Sequence, residues 1–228
     1  MNYKKETSKY RYERKFIIPA SFNNLFKNFL FENENQFKKL YSPRIVNSIY
    51  YDTHNLKLAF MNLKGDKNRM KIRLRHYGDN KIDKPSLEIK KRNGNLGNKI
   101  IYYEIKFQNN LLKESLYTLL ELNKINDYLG IETITFYPNI MISYKRSYFL
   151  SDCKKFRLTY DENIAYNSVE LDPYNKLDFP IFGNNNILEI KYEVETDYYK
   201  LPIFSKIPIT LSRNSKYISG LQTLGMIY

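Results

Sequence analysis

The 228-residue chain is about one domain long, and its 43% hydrophobic and 27% charged composition excludes a disordered chain and a membrane-embedded one. Its 37 Lys and Arg outnumber 24 Asp and Glu, and the formal charge of +13 points to a polyanionic partner: nucleic acid, a phosphate compound or an acidic membrane. One cysteine, Cys153, excludes a disulfide framework and a cysteine-rich zinc site, and two histidines, His54 and His76, argue against a His-built one, so any metal is expected to be a hard cation held by carboxylates and phosphates.

Residues 1–14 are polar and charged, without the apolar stretch of a leader peptide. No apolar run approaches the roughly 20 residues of a spanning helix, so the expected location is the cytoplasm. From residue 11 the chain alternates, with Tyr12, Arg14, Phe16 and Ile18 on one parity and Arg11, Glu13, Lys15 and Ile17 on the other, the pattern of a strand. Phe22, Leu25, Phe26, Phe29 and Leu30 then fall at helical spacing behind Ser21 as a cap. A strand is expected at 47–52 and a short helix at 55–63. Met70, Ile72 and Leu74 interleave with Arg69, Lys71, Arg73 and Arg75, and Leu87 and Ile89 with Glu88, Lys90 and Arg92. A strand at 99–107 precedes a helix through Leu112, Leu116, Leu119, Leu120 and Ile125, which Gly130 can stop. Further strands are expected at 139–149, at Phe156, Leu158 and Tyr160 interleaved with Arg157, Thr159 and Asp161, and, after a loop at 183–186, at Leu188, Ile190, Tyr192 and Val194 interleaved with Glu189, Lys191, Glu193 and Glu195. No fixed-period repeat or linker divides the chain. The expectation is one domain over 1–228, mainly β and antiparallel, with a few helices (α+β).

An alternating strand ordinarily turns its apolar face to a core and its charged face to water. Three features point the other way. Charge sits on one parity in at least five segments; signs mix within a segment, as Glu13 with Lys15, Glu88 with Lys90 and Glu189 with Lys191; and arginine stands at Arg73, Arg75, Arg146 and Arg157 in a chain otherwise rich in lysine. Arginine's planar fork suits bidentate phosphate contacts. Charged faces turned inward together need a wet centre, or one filled by a polyanion with a divalent cation, because desolvating an ion is expensive. The apolar parity then faces outward and needs covering by helices.

Tyr12-Glu13-Arg14-Lys15-Phe16 resembles the opening strand of the VTC domain, the polyphosphate polymerase domain of the vacuolar transporter chaperone complex, which belongs to the CYTH-like triphosphate tunnel metalloenzymes. Further similar motifs follow in the family's order: Ser48-Ile49-Tyr50-Tyr51-Asp52, Lys71-Ile72-Arg73-Leu74-Arg75, Ser86-Leu87-Glu88-Ile89-Lys90, Ser143-Tyr144-Lys145-Arg146-Ser147-Tyr148-Phe149, Phe156-Arg157-Leu158-Thr159-Tyr160-Asp161, Leu188-Glu189-Ile190-Lys191 and Ser212-Arg213-Asn214-Ser215-Lys216-Tyr217. No one of them is specific; their joint order over residues 9–220 is.

The resemblance implies a closed antiparallel β-barrel tunnel of about eight strands with flanking helices, and an ATP-dependent polyphosphate polymerase that passes the γ-phosphoryl group of ATP to a growing inorganic polyphosphate chain with a divalent cation, Mn2+ or Mg2+. It implies that Lys15, Arg73, Arg75, Lys90, Arg146, Arg157, Lys191 and Lys216 grip phosphates, with Lys99 and Arg213 as further substrate contacts. Glu189 takes the position of the metal-holding glutamate. Glu13 and Glu193 are secondary candidates that can equally pair with Lys15 and Lys191. The membrane segments and the phosphate-sensing SPX domain of the eukaryotic complex have no counterpart in this sequence, so the polymer is expected to pass to the cytoplasm or to a separate membrane partner.

Three alternatives stand beside the polymerase. A tripolyphosphatase or nucleoside triphosphatase would use the same tunnel. CYTH-type triphosphatases open with Glu-x-Glu-x-Lys, however, and Arg11 replaces the first glutamate here, which leaves less metal and less activated water. A non-catalytic polyphosphate-binding module has no need of Glu189. Nucleic-acid binding is disfavoured because most Tyr and Phe lie on the apolar parity and no RNA-binding motif occurs.

Overall fold

A computed structural model describes residues 3–7, 11–32, 37–78, 82–94, 96–108, 114–125, 136–169, 179–193, 210–212 and 214–228. Among the described residues eleven strands form one antiparallel sheet. They are β1 (Tyr3–Thr7), β2 (Arg11–Pro19), β3 (Phe37–Asp52), β4 (Asn68–Tyr77), β5 (Ser86–Asn93), β6 (Leu96–Tyr102), β7 (Tyr137–Ser151), β8 (Phe156–Ser168), β9 (Ile181–Phe182), β10 (Asn185–Glu193) and β11 (Thr210–Leu211). The helices are α1 (Asn23–Glu32), α2 (Lys57–Lys64), α3 (Leu116–Leu122) and α4 (Lys216–Thr223). The spatial order is β1-β6-β5-β4-β3-β7-β8-β10-β2-β11, with β9 beside β8. Eight of the strands have seven residues or more, the number expected; β1, β9 and β11 are short additions.

Among the described residues no ladder joins β1 to β11, so strand pairing alone does not close the ring. Curvature nevertheless brings the two halves together. Lys90 on β5 lies 3.6 Å from Glu13 on β2, although five strands separate them in the ladder. One face of the sheet is therefore concave, and we call it the interior.

The outer face carries the apolar parity, as the alternation requires. Ile49, Ile72, Leu74, Leu87 and Ile89 pack beneath Leu58 of α2 and Leu116 and Leu119 of α3. Phe16, Ile18, Leu158, Leu188 and Ile190 pack beneath Phe26 and Leu30 of α1. Ser115 caps α3 by accepting from the Thr118 N–H at 3.2 Å, and Gly65, at φ +74°, stops α2 in the left-handed conformation that glycine tolerates.

The interior face changes character along its strands. At one end it presents Ile140, Ile142, Ile164, Tyr166 and Ile187, and α4 lies on this patch through Tyr217, Ile218 and Leu221. Gly220 permits the close approach: a Cβ there would sit 2.7 Å from the Tyr166 ring and 2.8 Å from Ile140 Cδ1. Asp52 anchors the helix. Its carboxylate accepts the N–H groups of Thr53, Leu58 and Ala59 at the start of α2, and the Tyr217 hydroxyl donates to it at 2.8 Å. The Tyr217 ring stacks flat on Tyr50 at 4.8 Å.

The sequence-based boundaries shift locally. The expected 183–186 loop shrinks to Gly183 and Asn184, because Asn185 begins β10 and the buried Asn186 amide donates to the Tyr160 hydroxyl. The strand expected over 99–107 ends at Tyr102. Leu112, Gly130, Val194 and Glu195 lie outside the described residues.

Candidate active site

Beyond the apolar patch the same interior face is ionic. Each strand contributes alternate residues, and directly opposed residues share a face. β4 supplies Lys71, Arg73 and Arg75, β5 supplies Glu88 and Lys90, and Lys90 stands opposite Lys99 of β6. β2 supplies Glu13 and Lys15, which face Lys191 and Glu189 of β10. β7 and β8 supply Arg146 and Asp161, directly opposed. Lys216 reaches in from the first turn of α4.

Glu88 organises the arginine pair. Arg73 Nε donates to Glu88 Oε2 at 2.7 Å, and its Nη2 pairs with the same oxygen. Arg75 Nη1 and Lys99 Nζ lie 3.6 and 3.3 Å from Glu88 Oε1. Arg75 also donates to the Ser48 and Tyr144 hydroxyls, both at 3.2 Å, and Arg73 to the Tyr50 hydroxyl at 3.2 Å. Three of the five Arg73 donors are thereby used, and the guanidinium plane is fixed before any ligand arrives. Burial opposes ionisation of Glu88, but Arg73, Arg75 and Lys99 outweigh it and hold the carboxyl far below the usual carboxylate range.

Asp161 is fully buried and carries the second knot. It accepts from Arg146 Nε and Nη2 at 2.6 and 2.7 Å, a bidentate fork, and from Lys216 Nζ at 2.6 Å. Arg146 and Lys216 both lie over the Tyr144 ring, at 5.1 and 4.9 Å.

Glu13 and Glu189 form the third feature. They are diagonal neighbours on the paired strands β2 and β10, Glu13 opposite Lys191 and Glu189 opposite Lys15. Lys15 lies 3.2 Å from Glu13, and Lys191 lies 3.7 Å from Glu189. Burial would raise Glu189, yet the surrounding cations, Lys191 first and then Lys15 and Arg146, hold it well below the ordinary value. Two carboxylates on adjacent strands of one face can share a cation. They fit a divalent cation that takes its remaining ligands from phosphate oxygens and water. Among the described residues no group of three His, Cys, Asp or Glu could enclose a metal without such help.

Nine cations thus face four carboxylates, and the excess positive charge marks the titration of its neighbours. Burial would raise the Tyr50 hydroxyl, but Arg73, Arg75 and Lys71 bring it down to about 8. Burial, assisted by Lys15, Lys90 and Arg73, lowers Lys71 to about 8. Lys71 donates to Ser215 Oγ at 2.8 Å, at the cap of α4.

Of the residues singled out by sequence, Glu13, Lys15, Arg73, Arg75, Lys90, Lys99, Arg146, Glu189, Lys191 and Lys216 converge on this face. Arg157 stands opposite Lys191 but is exposed at the strand end, and Glu193 is exposed. Arg213 lies outside the described residues. Sequence reasoning missed Lys71, Glu88 and Asp161 as site residues. Their signal was available, since each shares the charged parity of an assigned strand. It also missed Thr159, whose hydroxyl is buried without a partner opposite Glu189, so a donor is held ready for a ligand on the interior face. His54 packs on Tyr137, His76 is buried on the outer parity, and the exposed Cys153 stands apart from the cluster.

A curled antiparallel sheet with an arginine- and lysine-lined interior and a few enclosed carboxylates has the charge and shape to receive a polyanion. The VTC domain family matches residues 10–225, and the chain belongs to that family. Two solved structures share the fold. HpAC1 from Hippeastrum, a candidate adenylyl cyclase described as having a dominant triphosphatase activity, is 15% identical with a TM-score of 0.50, covering 92% of this chain and 94% of its own. A candidate adenylate cyclase from Vibrio parahaemolyticus is 11% identical with a TM-score of 0.50, covering 96% and 99%. At these identities the likeness concerns fold alone. None of the curated proteins compared with the chain matches it. Among the described residues no helix is long and apolar enough to cross a membrane.

Proposed function

We propose that the protein is a polyphosphate polymerase that transfers the γ-phosphoryl group of ATP to the end of an inorganic polyphosphate chain threaded through its interior. The observation that carries the reading is the buried Glu189 opposite Lys15 and beside Lys191, with Glu13 diagonal to it and paired with Lys15 and Lys90. Phosphoryl transfer needs alignment and charge neutralisation, with little covalent help from the protein. Arg73 and Arg75, fixed by Glu88, hold the non-bridging oxygens of the triphosphate. Lys15, Lys90 and Lys191 line the path of the acceptor. A terminal phosphate oxygen of the polymer attacks Pγ, the bond from Pγ to the β–γ bridging oxygen breaks, and ADP leaves. Glu13 and Glu189 would hold a divalent cation, Mn2+ or Mg2+, which neutralises charge on the phosphates when bound.

Hydrolysis of tripolyphosphate or a nucleoside triphosphate is the second reading, favoured by the triphosphatase activity described for the fold neighbour from Hippeastrum. Water would then replace the polymer end as acceptor. A binding module without turnover is the third. Purified protein incubated with ATP and Mn2+ separates them on a gel: long polymer supports the polymerase, inorganic phosphate alone the hydrolase, and neither product the binding module. The reading also carries the expectation of action in the cytoplasm, with polymer released there or handed to a separate membrane partner.

A further inference from the structure

A cluster beyond the phosphate-gripping residues lies at the end of the interior away from α4, where the two longest strands, β3 and β7, run on together. In a regular strand Tyr41 and Arg44, three residues apart, would point to opposite faces. The β3 register shifts between Lys39 and Tyr41 and again between Tyr41 and Arg44, across Pro43, which cannot donate to a ladder. The result is that Tyr41 stands opposite Tyr148, and Arg44 opposite Arg146. The Tyr41 and Tyr148 rings meet edge to face at 5.8 Å and 79°. The Arg44 guanidinium lies 5.5 Å from the Tyr41 ring centre and 6.0 Å from that of Tyr148. Tyr41 is 53% exposed, so the cluster stands open to solvent.

The register extends this cluster into the site. Tyr41 faces Tyr148, Tyr148 faces Thr159, Thr159 faces Glu189 and Glu189 faces Lys15, one row of side chains across five strands. Tyr148 and Glu189 are two strand spacings apart, about 10 Å. A triphosphate with its ribose spans such a gap, which puts the base beside the tyrosines when the phosphates run past Arg146 and Glu189 toward Arg73 and Arg75. Aromatic rings and a guanidinium plane are the groups on which nucleobases stack. Inorganic phosphate chains have no use for them.

We propose that Tyr41, Tyr148 and Arg44 form a base-stacking subsite by which the protein prefers a nucleoside triphosphate to inorganic tripolyphosphate as its donor. The inference rests on the interior binding a triphosphate, as proposed above. Because stacking tolerates any π face, purines bind alike, and more tightly than pyrimidines.

Equilibrium binding of ATP and of tripolyphosphate is measured by calorimetry with EDTA present, so that no turnover occurs. The expected result is that Tyr41→Ala weakens ATP by about 5- to 100-fold, the loss of one base–aromatic stack, with tripolyphosphate within twofold. Tyr41→Phe keeps both affinities. Retained tripolyphosphate binding also reports an intact fold. Equal weakening of the two ligands, unchanged ATP binding, or a wild-type protein that binds both equally overturns the subsite and leaves the phosphate-binding interior standing. A wild-type protein that binds neither overturns the interior reading itself.

Discussion

The interior face has two halves built from the same strands and the same parity. On β10, Ile187 precedes Glu189 and Lys191; on β7, Ile140 and Ile142 precede Arg146; on β2, Ile17 follows Glu13 and Lys15. The apolar half is filled by α4 and packs as a core. Into the ionic half, among the described residues, α4 sends Lys216 and its cap Ser215, beside the ends of the strands' own side chains. The difference teaches that alternation sets which face a residue joins, while position along the strand sets whether that face is packed or left for a ligand. Burial stabilises the first half. The second holds together because carboxylates at 13, 88, 161 and 189 lie between cations that would otherwise repel.

Breaking a knot in the ionic half is the severest test. Asp161→Ala leaves Arg146 and Lys216 buried without their shared carboxylate, at an expected cost of about 3–5 kcal/mol in urea denaturation. Adding Lys216→Met should recover part of that loss, since the two side chains interact; strict additivity would remove Asp161 from its place as the internal counterion. Glu189→Gln should cost about 1–3 kcal/mol, less than Asp161→Ala, with the fold retained, while metal-dependent turnover of ATP falls at least about 100-fold. Full activity in that variant sinks the carboxylate pair as the cation site.

The apolar half yields a smaller and purely structural effect. Gly220→Ala gains helix propensity but drives a methyl into Tyr166 and Ile140, so a net loss of about 1–3 kcal/mol is expected from thermal unfolding. The smallest effect is a pH dependence. Lys71 is lowered to about 8 in the folded protein, against an ordinary value of 10.5. Between those values the unfolded chain keeps the proton that the folded one has released, so the Lys71 contribution makes stability rise with pH across that window. Triphosphate affinity should move the other way and weaken above about pH 8 as the ammonium is lost. Lys71→Met should flatten both trends in paired denaturation and calorimetry series; unchanged slopes would place the titration on another group.

Much of this was legible in the sequence, for a definite reason. A period of two assigns faces without knowing partners, so Arg73, Arg75, Lys90 and Glu189 could be grouped before any strand was paired. Direction was legible too, because mixed signs on one parity suit a shared interior better than open water. Pairing was not. Glu88 reads as one more charge in an alternating strand, and only the register shows it clamping residues from two neighbouring strands. Asp161 likewise needed β7 beside β8. Tyr41 and Arg44 were hidden by the irregular register of β3, which breaks the very periodicity that made the rest readable.

The Glu88 and Asp161 knots have a consequence for salt. An exposed cationic groove recruits dissolved anions and releases them when a polyanion arrives, so its affinity falls steeply with ionic strength. Here part of that screening is built into the polypeptide, and those carboxylates stay in place whatever the buffer. Binding therefore exchanges fewer mobile ions than the number of lysines and arginines suggests, and the site keeps more of its grip in a concentrated electrolyte than an unscreened groove would.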